Sequence, residues 1–155
     1  MKDVTIREAV IDELKSIQDL NHELFVSDSA YYPSLDLSWP YGAEGEEYFR
    51  NTITKDDMCC FVAEHDGKII GYATAFIQEN SAFNAVYCHL DTEIVAEDYR
   101  GKGIGAKLAE AVASWGKKRG ANKARLDVMA SNHRAIAFYE RLGFRPITSI
   151  MERDL

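Results

Sequence analysis

The sequence predicts an α+β fold, and three observations indicate it. The chain has 155 residues, which suits one compact domain, and no repeat or linker divides residues 1–155. Short apolar runs separated by turn residues occupy the middle of the chain, and they indicate consecutive hairpin strands. The apolar spacing then changes to a helical period, so the element order continues as β-α-β-α-β.

The first third of the chain is predicted to hold one strand, two helices and a loop. Leucine and isoleucine recur at helical spacing between positions 14 and 24. Proline, glycine and serine then interrupt the pattern, as is typical of a loop. The predicted segments are a strand at 4–7, a helix at 12–25, a loop at 26–45 and a helix at 46–54.

Beyond residue 58 the sequence predicts three strands followed by a helix-strand-helix unit. Asp66 and Gly67 form a typical hairpin turn between the first two strands. Gly120 and Gly143 suit the ends of the two helices. The predicted segments are strands at 59–63, 69–78 and 86–95, a helix at 104–119, a strand at 124–129, a helix at 132–142 and one or two strands at 144–153.

Charge and cysteine content limit the function classes. Eighteen basic and 25 acidic residues give a net charge of −7, so binding to nucleic acid or an anionic membrane through bulk charge is not expected. No apolar run is long enough for a signal peptide or a membrane span, which favours a cytoplasmic protein. Cys59, Cys60 and Cys88 have neither disulfide nor zinc spacing, and we expect reduced, buried thiols and no metal site.

A glycine-rich turn between a predicted strand and a predicted helix carries the chemistry. Gly101, Gly103 and Gly105 let an anion approach the backbone where the helix amides are unpaired, and Arg100 and Lys102 add positive charge. The segment therefore predicts a pyrophosphate site. It does not fit a P-loop, because alanine and leucine stand where that motif needs glycine and serine or threonine. A dinucleotide fingerprint fits the glycines, but the strand lies too far from the first glycine.

The segment Arg100-x-x-Gly103-x-Gly105-Ala106 resembles the coenzyme A signature of the GNAT superfamily of N-acetyltransferases. The run from Asn132 to Phe144 also resembles that family, and the element order matches from Val4 onward. The resemblance implies a three-layer αβα fold with a central mixed, mostly antiparallel sheet. It implies that the sheet splays open near Val95, that about four helices flank it, and that a β-bulge lies nearby.

The resemblance also implies a site for acetyl-coenzyme A as co-substrate. Backbone groups of the strand would pair with the pantetheine arm, and the glycine turn would hold the pyrophosphate. Asn132 would contact the cofactor, although asparagine at that position is also a preferred helix N-cap. The predicted cofactor-binding residues are Ile94, Val95, Ala96, Arg100, Gly101, Lys102, Gly103, Ile104, Gly105, Ala106 and Asn132.

The catalytic residues predicted from the resemblance are Tyr139, Asp91 and Glu93. Tyr139 would serve as the general acid for the leaving thiolate, with a core aromatic as the alternative. Asp91 and Glu93 are candidates for the general base, and His89 is a third. These three residues share one face of the strand unless a bulge intervenes. The Val95 N–H would stabilise the oxyanion.

The acceptor is expected to be an amine, in a small molecule or a peptide. Residues 25–49 would shape its site, and they include six aromatic residues after Phe25, five acids and no Lys or Arg, which suits a cation. The alternative is an aromatic lid with solvated acids. The resulting prediction is an N-acetyltransferase that acts by direct attack in a ternary complex, and a homodimer is possible. A non-catalytic acyl-coenzyme A sensor and a dinucleotide-dependent oxidoreductase remain as alternatives.

Overall fold

The computed structural model describes residues 4–80 and 82–155. Its strands and helices follow the predicted order. The elements are β1 Thr5–Glu8, α1 Leu14–Asp28, α2 Ala43–Thr54, β2 Met58–His65, β3 Lys68–Asn80, β4 Ala85–Val95, α3 Ile104–Lys118, β5 Lys123–Arg125 and α4 His133–Arg141.

The five strands form one mixed sheet in the order β1-β2-β3-β4-β5. Every neighbouring pair is antiparallel except β4 and β5, which are parallel. The predicted α+β class and the mostly antiparallel sheet are therefore confirmed. The hairpin between β2 and β3 turns at Asp66 and Gly67, both with positive φ (49° and 74°), as this turn type requires.

Helices cover both faces of the sheet, and each face has its own apolar core. α3 packs Leu108, Val112 and Trp115 against one face. On the other face, Ile17 of α1 and Phe49 of α2 pack against the sheet. The adjacent Cys59 and Cys60 lie in different cores, because successive strand side chains point to opposite faces. All three cysteines are free and buried, as predicted.

The sheet opens between β4 and β5. β4 pairs with β5 only from Tyr87 to His89. Beyond His89, within the described part of the chain, no strand pairs with that edge of β4. The predicted opening is confirmed, but it begins at Leu90, several residues before Val95.

A β-bulge interrupts the pairing of β3 with β4. Thr74 pairs with Thr92 and Ala75 pairs with Leu90, so Asp91 is the extra residue. The sequence analysis expected a bulge near Val95, and this position is a correction. The bulge changes which face each acidic side chain occupies.

The C-terminal part of the chain departs from the sequence prediction. β5 ends at Arg125 rather than at residue 129, and the described residues 142–155 contain no strand. Ile147, Ile150 and Met151 are exposed rather than packed. The prediction of strands at 144–153 is therefore wrong: apolar residues alone do not form a strand without a paired neighbour. No described helix is long and apolar enough to cross a membrane.

Candidate active site

The predicted pyrophosphate turn leads directly into α3. Gly101 and Gly103 have φ of 74° and 77°, a conformation that favours glycine. Gly103 is the N-cap of α3, and within the described residues no side chain caps this helix. A Cβ built at either glycine would have open space around it. The first-turn amides are thus accessible to an anion, whose charge the helix dipole would favour.

Two cations border this turn, and both are held by the backbone. The Arg100 Nε donates to the Val95 carbonyl at 2.7 Å. The Lys102 Nζ donates to the Asp98 carbonyl at 2.8 Å and lies over the Tyr99 ring. Free glycine backbone, an uncapped helix start and two fixed cations fit the pyrophosphate of a coenzyme A molecule.

The backbone of β4 presents hydrogen-bonding groups to the opening. The Ala96 N–H donates to the Ile70 carbonyl, and the Ala96 carbonyl accepts from Tyr99. Because backbone groups alternate sides along an antiparallel strand, those of Val95 and Glu93 point away from β3 and into the opening. The Val95 N–H therefore points into the opening, and its role as an oxyanion donor stays a prediction. Both Ala96 backbone groups are used within the protein, and those of Ile94 point toward Tyr72 of β3, which corrects the expectation that these two residues would pair with pantetheine. The Val95 carbonyl is already held by Arg100, which leaves the Val95 N–H.

Glu93 and Tyr139 meet beside this open edge. The Tyr139 hydroxyl hydrogen-bonds to the Glu93 carboxyl. The Glu93 Oε2 atom is buried and has no hydrogen-bond partner among the described residues. Burial raises the pKa of Glu93 to about 8. Burial and the nearby carboxylate also raise the pKa of Tyr139, so its hydroxyl keeps its proton and donates it to Glu93.

Gly105 allows Glu93 to lie under the first turn of α3. A Cβ at position 105 would come within 2.8 Å of the Glu93 Oε1 atom and 3.2 Å of the Phe138 ring. Both distances are shorter than ordinary van der Waals contact, so a larger residue at position 105 would displace the Glu93 carboxyl. The sequence analysis assigned Gly105 to cofactor binding alone. Its close approach also brings the predicted base and the predicted cofactor turn together.

Asp91 lies on the opposite face of β4 from Glu93. Its carboxylate accepts a hydrogen bond from the Tyr48 hydroxyl of α2. Since Glu93 contacts α3 and α4, the bulge separates the two acids that strand alternation would have placed together. The sequence analysis expected a shared face unless a bulge intervened; the bulge is present, and Asp91 and Glu93 do not share a face.

His89 belongs to a third environment. Its ring stacks on Phe76 with 4.8 Å between ring centroids, and its Nε2 lies 3.5 Å from Asp127. Cys88 and Leu90 pack in the α3 core, so His89 between them points to the other face. The structure does not bring His89 to the Glu93–Tyr139 pair.

Asn132 caps α4, since its Oδ1 accepts a hydrogen bond from the Ala135 N–H at 3.1 Å. This is one of the two roles that the sequence left open; the cofactor contact stays a prediction. The cap fixes the start of the helix that carries Tyr139. Among the described residues, no group of three or more His, Cys, Asp or Glu side chains is placed to hold a metal ion.

The aromatic residues of segment 25–49 divide into two groups. Trp39, Tyr48 and Phe49 form a packed series of rings against Tyr72 of the sheet. Phe25 stacks on Trp39, so these four rings pack together, as the simpler alternative expected. The other three are 36% to 44% exposed: Tyr31, Tyr32 and Tyr41. The Tyr41 hydroxyl donates to Asp19.

Comparison with known proteins identifies the family. The chain matches the acetyltransferase (GNAT) family over residues 17–144 and therefore belongs to it. It is 31% identical over 120 residues to N-alpha-acetyltransferase 30 of Schizosaccharomyces pombe, with 77% of each chain covered. Its fold is similar to that of the aminoglycoside N-acetyltransferase AAC(6')-Iy in complex with CoA. That likeness has a TM-score of 0.77 at 20% identity, covering 99% of this chain and 95% of the other.

An archaeal relative is longer than this chain. The chain is 30% identical over 145 residues to an uncharacterized N-acetyltransferase of Methanocaldococcus jannaschii. The match covers 93% of this chain but only 62% of that protein.

Family membership gives no support to the dinucleotide alternative.

Proposed function

We propose that the protein is an acetyl-coenzyme A-dependent N-acetyltransferase that acts on a primary amine. The observation that carries this proposal is the Glu93–Tyr139 pair, which lies beside the open edge of β4 and under the first turn of α3. A base, an acid and an oxyanion donor from Val95 thus surround one opening. Acetyl-coenzyme A would supply an acetyl group activated as a thioester.

Glu93 is the proposed general base. An alkylammonium with a pKa near roughly 10.4 must lose a proton before it can attack a carbonyl carbon. An ordinary carboxylate is a weak base for that task, whereas burial brings the pKa of Glu93 to about 8, closer to that of the amine. Its Oε2 atom is buried and without a hydrogen-bond partner among the described residues, and we propose that this atom takes the proton.

Tyr139 is the proposed general acid. Its hydroxyl proton would be delivered to the departing sulfur, and the proton held on Glu93 could then return to the Tyr139 oxygen through their hydrogen bond. Acetylation of an alkylammonium removes two protons from its nitrogen. Glu93 would pass the first to solvent before attack and take the second as the tetrahedral intermediate forms, which balances the proton that Tyr139 gives to the thiolate.

The acceptor is proposed to be cationic, in a small molecule or a peptide. Segment 25–49 contributes five acids and no Lys or Arg, and Asp91 adds an exposed carboxylate at the open edge. Attraction between exposed charges is screened over about 8 Å at physiological ionic strength, so acceptor KM should rise with salt. Salt-independent KM together with a preference for neutral amines would contradict a cationic acceptor.

A primary-amine library with acetyl-coenzyme A tests the activity itself, read by thiol release and by the mass of the acetylated product. The sensor alternative predicts coenzyme A binding without product. Wild type should form product, and Glu93→Gln should slow it by about a hundredfold or more while still binding coenzyme A. Product formation at equal rates by both proteins would remove Glu93 from the mechanism.

A further inference from the structure

A chain of buried side chains ends on the Asp91 carboxylate. It begins at Asn21 of α1, whose Nδ2 donates to the Tyr72 hydroxyl at 2.7 Å. The Tyr72 hydroxyl also contacts Thr92. Thr92 and Thr74 share a hydrogen bond of 2.6 Å, and Thr74 and Tyr48 share one of 2.9 Å. Tyr48 then donates to Asp91.

The chemistry of the two end groups, Asn21 and Asp91, gives this series of hydrogen bonds one direction. An amide NH₂ can only donate, and a carboxylate can only accept. Each hydroxyl between them has a single proton, so every proton points from Asn21 toward Asp91. Hydrogen bonds aligned in this way polarise one another, which strengthens the final donor at Tyr48.

The chain fixes one oxygen of Asp91 and leaves the other to a ligand. Asn21, Tyr72 and Thr74 are fully buried, whereas Asp91 is exposed. The bulge turns both Asp91 and Thr92 toward α2, so Asp91 does not share the buried environment of Glu93. A fixed, exposed carboxylate that already accepts one hydrogen bond suits a bound cation better than proton removal.

We infer that Asp91 binds a second cationic group of the acceptor, and that Tyr48 is the positioning residue that orients it. The inference rests on the proposed function, because Glu93 must serve the reacting amine. The two acids are two residues apart on β4, with Cα atoms roughly 7 Å apart, and their side chains leave opposite faces that meet at the open edge of the strand. A diamine that passes around this edge could place one nitrogen at each acid. The substrate class is therefore amines that carry a second positive charge a few bonds away.

The test compares 1,5-diaminopentane with 1-aminopentane, which is similar in length but has one cationic group. Wild type should prefer the diamine in kcat/KM. Asp91→Asn should lower this preference by about tenfold or more, since a charge-assisted contact is lost. Tyr48→Phe keeps the ring and should lower the preference for the diamine about three- to tenfold, because the KM for the diamine rises. Turnover of 1-aminopentane should stay within about twofold of wild type.

Two further variants separate positioning from folding. Thr54→Val removes a hydroxyl hydrogen bond to Arg50 elsewhere on α2 and should leave the preference unchanged. Tyr48→Phe combined with Asp91→Asn should match Asp91→Asn alone, because Tyr48 acts through Asp91. Independent losses in the double variant, or an equal loss of turnover with both amines, would overturn the assignment.

The outcomes also distinguish this inference from the proposed function. If wild type acetylates both amines with equal kcat/KM, the function stands and the role of Asp91 is wrong. If wild type releases no thiol with either amine or with any member of the amine library, the proposed function fails and the inference fails with it.

Discussion

The raised pKa of Glu93 predicts that this residue makes the free energy of unfolding of the free protein fall as the pH rises. Its ordinary pKa is 4.5, and in the folded protein burial raises it to about 8. The folded state therefore binds the proton more tightly than the unfolded state does. The stabilisation that protonated Glu93 contributes is fully present below pH 4.5 and is lost as the pH rises toward 8.

The size of the effect follows from the same two values. At 1.36 kcal/mol per pH unit, the full penalty approaches about 5 kcal/mol, as an upper limit. Between about pH 5.5 and about pH 8, it should reduce the free energy of unfolding by about 3 kcal/mol. Glu93→Gln removes the titrating group and keeps a similar shape, so its stability relative to wild type should increase by that amount over the same range.

Urea unfolding of both proteins at the two pH values measures this difference. Glu110→Gln is a matched control, because it removes an exposed carboxyl on α3; its free energy of unfolding should stay within about 0.5 kcal/mol of wild type. If the difference between Glu93→Gln and wild type is the same at both pH values, Glu93 is not held in the protonated form and the argument for a buried base fails.

Three further changes test the remaining parts of the site. Tyr139→Phe should lower turnover by about tenfold or more with little change in coenzyme A affinity; wild-type turnover would make Tyr139 only a packing residue. Gly103→Val should weaken coenzyme A binding by about tenfold or more by calorimetry, because φ of 77° strains valine and its side chain would crowd the turn; unchanged affinity in the folded variant would exclude this turn. Gly105→Ala should lower turnover by displacing the Glu93 carboxyl, which would lie 2.8 Å from the new Cβ. Adding Glu93→Asp to the same protein should restore part of the lost turnover. Full activity of Gly105→Ala alone would contradict the close approach.

The parts of the fold predicted best are those set by local pattern. The apolar stripe of α3 and the Asp66-Gly67 hairpin depend on residues close in sequence, and both formed as expected. The prediction of strands after Phe144 was wrong because a strand requires a pairing partner, which the residues of the tail do not specify. β5 ended early for the same reason.

The site shows the same division between local and distant information. The glycine turn could be located from sequence because its chemistry lies in one short segment. The bulge at Asp91 could not, since neither glycine nor proline marks it. Tyr48 was grouped with the loop aromatics because its partner Asp91 is 43 residues away. Its only sequence signal was a tyrosine placed beside the buried Phe49.

The most direct test of the central claim is the reaction of wild type and Glu93→Gln with acetyl-coenzyme A and 1,5-diaminopentane near pH 8. Thiol release and acetylated amine should be measured in the same sample. The account predicts one acetylated amine for each thiol released by wild type, and a loss of about a hundredfold or more in Glu93→Gln at unchanged coenzyme A affinity. Thiol release without acetylated amine, or equal product from both proteins, would contradict it.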